Sequence, residues 1–135
     1  MASFNINSKQ LSDTCVLHLI DPSTGLYMYA DEEEKEPLTI TLFGRASKEY
    51  RAWMAQAVRK SETKEGKKKK SLEESLAENA EFLAKMSKDA QNFDMDGVAL
   101  DSRDAFIKLY SNPKLLWIGE QVSEKLSELG NFIQK

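Results

Sequence analysis

Two residues carry most of the chemistry that this chain could perform, His18 and Cys15, each the only one of its kind. A paired imidazole and thiol would make a nucleophile, and either could join a metal site. His18 alternates with Leu17 and Leu19 in the β-rich run Cys15–Ile20. Alternation assigns it a face of a strand but supplies no partner. The spacing suggests no cysteine–histidine pair, and a thiol in an apolar strand behaves as a small hydrophobe. Without a cluster of Cys and His the sequence points away from zinc. Asp94-Met95-Asp96-Gly97 resembles the start of a calcium loop, but such a loop needs further oxygens and a bidentate glutamate at its end, Arg103, Asp104 and Ala105 follow in the wrong register, and a turn is the better reading. Gly44-Arg45-Ala46-Ser47 joins a strand to a helix, where free amides can hold phosphate, yet the glycine-rich pattern and lysine of a P-loop are missing. No GxSxG elbow occurs. The carboxylates lie in charged helices and loops, as on a solvated face. The expectation is a binding protein, not an enzyme, with no catalytic residue, metal or cofactor.

The 135 residues suit one domain, 41% of them hydrophobic and 30% charged. Met1–Gln10 lacks the apolar run of a signal peptide, and no stretch approaches the ~20 apolar residues that cross a bilayer. Together with a single cysteine, this predicts a reducing, cytoplasmic setting without a membrane partner. The net charge of −3 gives no general attraction to nucleic acid. Charge is instead clustered. Asp31–Glu36 holds five acids against Lys35, and Arg59–Lys70 holds seven cations against Glu62 and Glu65.

The elements that would position these groups follow from periodicity and turn residues. Cys15–Ile20 and Leu26–Ala30 read as strands of a hairpin around the loop Asp21-Pro22-Ser23-Thr24-Gly25. In Leu38–Phe43, Leu38, Ile40 and Leu42 alternate with Thr39, Thr41 and Phe43, a third strand. Ser47 can cap a helix striped by Tyr50, Trp53, Met54, Ala57 and Val58. Ser71-Leu72-Glu73-Glu74 fits a capping box ahead of Leu72, Leu76, Leu83 and Met86. Asp94–Gly97 reads as the turn of a small hairpin, Asp101 or Ser102 as the cap of a short helix, and Asn112-Pro113 as the start of the last one. Strands followed by about four helices predict an α+β fold. The reading is a single domain over 1–135: a β-rich part over 1–44, a helix over 45–60, a charged linker over 61–70 and a helical part over 71–135.

Features of recognition remain. Lys67, Lys68, Lys69 and Lys70 form a strip without aromatic neighbours, which suits a solvated linker or an electrostatic contact better than nucleic acid. Glu32, Glu33 and Glu34 are its natural complement, within one chain or across subunits. The last helix carries Leu115, Ile118, Val122, Leu126, Leu129 and Ile133 at helical spacing, with Leu116, Trp117 and Phe132 off that stripe. A helix that is apolar on more than one side needs two neighbours, so these residues are candidate contacts to another subunit or a client.

Phe4-Asn5-Ile6, the segment Leu17–Gly25, the strand Leu38–Gly44 running into Ser47-Lys48-Glu49-Tyr50-Arg51, then Leu109-Tyr110-Ser111-Asn112-Pro113, Leu116-Trp117-Ile118, Gln121-Val122 and Asn131-Phe132-Ile133 stand in a telling order. In that order the chain resembles the tail assembly chaperones of long, flexible-tailed, lambda-like bacteriophages. The resemblance implies a partner, the tape measure protein, which such chaperones keep soluble while the tail tube assembles. It also implies a longer product of ribosomal frameshifting that recruits the tail tube protein, a homo-oligomer, and residence in the bacterial host cytoplasm but not in the mature virion. It assigns no role to Lys67–Lys70 or the acidic loop. The alternative expectation is a small phage or bacterial regulatory adaptor that binds nucleic acid through the basic strip.

Overall fold

The alternation over 38–43 becomes the middle of a sheet. The computed structural model describes residues 2–63 and 71–128. β1 (Thr14–His18) and β2 (Thr39–Phe43) run antiparallel, with Leu17 opposite Ile40 and Cys15 opposite Leu42. β3 (Ser87–Gln91) pairs with the other side of β2, so the order is β1-β2-β3. Ile40 and Leu42 are wholly buried, while Thr39, Thr41 and Phe43 take the half-exposed face. The described helices are α1 (Lys48–Thr63), α2 (Leu72–Met86), α3 (Arg103–Ser111) and α4 (Leu116–Ser127), giving the α+β architecture read from the order of elements. A two-stranded hairpin, β4 (Asp94–Met95) with β5 (Val98–Ala99), precedes α3. Its turn places Asp96 and Gly97 at φ 53° and 80°, the left-handed pair that such a short connection demands.

Local chemistry starts the helices where side chains can take up free amides. Ser47, Ser71 and Ser102 each accept from the amide three residues on, at 3.2 Å. Asn112 accepts from Lys114 N–H at 3.0 Å, with Pro113 next to it, and a short 3-10 turn leads into α4.

Two segments depart from the periodicity. Leu26–Ala30 forms no ladder. It enters as a wedge, with Met28 N–H donating to Leu19 C=O at 2.9 Å and Leu38 N–H donating to Met28 C=O at 3.0 Å. The wedge makes only isolated bridges, Ile20 to Tyr27 and Tyr29 to Pro37. The loop before it closes as expected, Asp21 N–H bonding Leu26 C=O at 2.9 Å. The third ladder strand is Ser-Lys-Asp-Ala-Gln, a sequence with no β-branched or aromatic residue. Its position along β2 makes it a strand, not its propensity.

Leu17 and Leu19, Ile40 and Leu42, Leu83 and Ala84, Leu100, Phe106 and Leu109, and Ile118 and Val122 meet in one core between the sheet and α2, α3 and α4. Gly119 permits close packing of α4, because a Cβ there would lie 3.4 Å from Leu83. At the junction of α2 and β3, the buried Ser87 hydroxyl donates to Leu83 C=O at 2.7 Å and lies 2.6 Å from the Tyr110 hydroxyl.

Burial carries the Tyr110 phenol well above its ordinary range, with the Ser87 contact opposing in part. A folded-state pKa above the unfolded value gives stability that is complete below about pH 10 and declines as the unfolded chain ionises. Tyr110→Phe should remove that decline, flattening the stability–pH slope by up to about 1.4 kcal/mol per pH unit above pH 10. Urea melts of both proteins between pH 8 and 11 measure the difference.

Candidate interaction surface

His18 is held by its surroundings. Its Nε2–H donates to Met28 C=O at 2.9 Å, since a carbonyl can only accept, and the ring stacks on Tyr27 at 4.5 Å and meets the edge of Tyr29 at 4.9 Å. The wedge thus supplies the partners that alternation alone could not. Burial pushes the Cys15 thiol up, an effect that Lys125 partly offsets, so little thiolate forms at neutral pH. Among the described residues no group of three or more His, Cys, Asp or Glu is placed to hold a metal ion. Asp94 Oδ1 accepts from Gly97 N–H at 3.1 Å, which is turn chemistry. No helix among them is long and apolar enough to cross a membrane.

The apolar stripe of α4 divides. Ile118 and Val122 are 5% and 0% exposed and belong to the chain's own core. Leu115, Trp117 and Leu126 are half-buried against that core. Leu126 also lines a hollow of about 200 Å³ with Phe43, Tyr50 and Phe82. Leu116 stands in solvent. Leu129, Phe132 and Ile133 lie outside the described residues, as do Lys67, Lys68, Lys69 and Lys70. Glu32, Glu33 and Glu34 are exposed in a loop where Glu33 meets Lys35 at 2.9 Å and Asp31 accepts from the Lys35 and Glu36 amides.

Four further exposed apolar side chains stand on α1 and α2, which meet with the start of α1 against the end of α2. Tyr50 and Trp53 near the start of α1 meet Phe82 near the end of α2, with ring centroids 6.5 and 5.5 Å apart. Beyond that aromatic contact both helices overhang the core. Met54 and Val58 on α1 are exposed, and Leu72 and Leu76 on α2 are 75% and 54% exposed. Counting about 100° per residue from Trp53 and from Phe82, each pair lies roughly a quarter to two-fifths of a turn round its helix in the same sense. In antiparallel helices this brings both pairs to one side. The result is an exposed apolar face, whose Leu72 and Leu76 continue the buried stripe of Ala80 and Leu83 on α2 into solvent. Helical spacing identified all four residues as an apolar face.

No protein-family model, curated protein or solved structure matches the chain.

The division of α4 has a direct test. Ile118→Ala should cost about 2–5 kcal/mol, because it leaves a cavity in the core. Leu116→Ala should stay within about 0.5 kcal/mol, as for an exposed position. Chemical denaturation of the two variants separates them.

Proposed function

We propose that this chain is a tail assembly chaperone of a long, flexible-tailed bacteriophage, which holds the helical tape measure protein soluble in a shallow trough formed between the exposed apolar sides of α1 and α2. The observation that supports the reading is the exposed apolar face of Met54, Val58, Leu72 and Leu76 on a pair of overhanging helices. A trough between two helices accepts the apolar side of a third, whose anchors recur at three and four residues. The resemblance noted in the sequence supplies the client and the setting, the bacterial host cytoplasm before the virion is complete. The reading gives the chain no reaction to catalyse.

The magnitudes favour a repeated contact over a single tight one. Completing the burial of four partly exposed side chains yields roughly 1–2 kcal/mol each. Bringing two polypeptides together costs at least about 4 kcal/mol. One trough therefore binds weakly, and a row of them along an extended client binds by avidity. Self-association of the chain belongs to the same proposal, as does a longer frameshifted product that brings tail tube protein to the complex.

Leu72→Glu with Leu76→Glu alters only exposed positions and should leave the melting temperature nearly unchanged. Co-expressed with the tape measure protein, the wild type should raise the soluble fraction of that protein, and the double variant should lose most of the gain. Equal rescue by both would refute the trough as the client site. No rescue by either would refute the chaperone reading.

A further inference from the structure

The hollow of about 200 Å³ between the end of β2 and the helices α1, α2 and α4 has apolar walls and a polar rim. Phe43, Tyr50, Phe82 and Leu126 line it, and each is only half-buried. Arg45, Ser123 and Ser127 stand exposed around it. α4 brings the chain to this place. Ser123, Leu126 and Ser127, at i, i+3 and i+4, share one side of its last turns. The helix stops at Ser127, and Glu128 is already extended, at φ −101° and ψ 104°. Had the helix run on, Phe132 would lie about 180° round the axis from Ser123, on the side of Gln121 and Lys125. The stop at Ser127 lifts that restriction.

The description of the chain ends at Glu128, on the rim of the hollow, and the sequence goes on Leu-Gly-Asn-Phe-Ile-Gln-Lys. Leu129 is at most about 7 Å from Ser127 along the chain. Gly130-Asn131 is a turn pair, because both residues tolerate left-handed backbone. A turn there returns Phe132 to within about 7 Å of Leu129 and keeps it beside the end of α4. Two spaces flank that end, and their chemistry separates them. The groove on the opposite side of α4 is walled by Glu124, Lys125 and Glu128, whose charges favour water. A phenyl ring gains by leaving water, and its match is the hollow of Phe43, Tyr50 and Phe82.

We propose that the segment following α4, residues 129–133, folds back at Gly130-Asn131 and closes this hollow with the ring of Phe132. The occupant is the chain itself, not a client or a second copy. Such a latch ties the end of α4 to the start of α1 and the end of α2, the base from which the exposed helix pair projects. It leaves Met54, Val58, Leu72 and Leu76 uncovered, so it stands apart from the chaperone reading and does not depend on it. Ile133, next along an extended segment, faces away from the hollow.

Disulfide trapping in the full chain tests the latch. In a Cys15→Ser background, Arg45→Cys with Phe132→Cys should form an intrachain disulfide under mild oxidation, mapped by peptide mass. Leu116→Cys with Phe132→Cys should not, because Leu116 is exposed at the other end of α4, about 16 Å from Ser127. Phe132→Ser should lower the melting temperature by about 3–6 °C, and Ile133→Ser by no more than about 1 °C. The proposal is overturned if positions 45 and 132 do not cross-link, or if 116 and 132 cross-link as readily. It is also overturned if Phe132→Ser melts with the wild type. A bond from 45 to 132 found only between chains overturns it too, and gives the hollow to a second copy. Rescue of the tape measure protein is read separately, so the latch and the chaperone reading fail independently.

Discussion

α2 passes into β3 without a loop, and the rest of the structure is arranged around that junction. Met86 ends the helix, Ser87 begins the strand, and β3 is held along β2. The Ser87 hydroxyl and Tyr110 join the junction to α3. With one end of α2 anchored in the sheet, a helix of 15 residues, about 22 Å long, extends past a core that reaches only to Ala80. α1 is drawn along by the contact of Tyr50 and Trp53 with Phe82. The overhang, and the apolar side chains left on it, follow from a helix longer than the layer it crosses.

That overhang costs solubility, and in a domain of this size it also forgoes core. Leu72 and Leu76 would be ordinary core residues if another element crossed beneath them, and among the described residues none does. A client helix lying along these side chains would supply that missing element. A weak contact repeated copy by copy is the arrangement by which small subunits assemble on a long polymer, each adding a modest increment to the total.

Much of this was legible in the residues. Period-two alternation gave β2 and its buried face, the serine and asparagine caps gave four helix starts, and Asp94–Gly97 gave the small hairpin. What escaped did so for physical reasons. Ser87–Gln91 carries no strand signal, because its hydrogen bonds to β2 decide its state. Leu26–Ala30 has strand propensity, but its backbone bonds are divided between Leu19 on one side and Leu38 on the other, so it makes isolated bridges and no ladder. The α4 stripe was periodic as expected, yet periodicity alone does not distinguish a face turned to the chain's own core from one turned to a partner. Ile118 and Val122 take the first role, while Leu116 on α4, like Met54, Val58, Leu72 and Leu76 on α1 and α2, stands exposed.

The central claim is that the trough exists to hold another polypeptide. Amide hydrogen exchange measured on the free chain and on its co-purified complex with the tape measure protein tests it most directly. The account predicts slower exchange over residues 50–59 and 72–80 in the complex, with β2 and β3 unchanged. Protection confined to the sheet or to α4, with the α1–α2 pair exchanging as in the free chain, would contradict it.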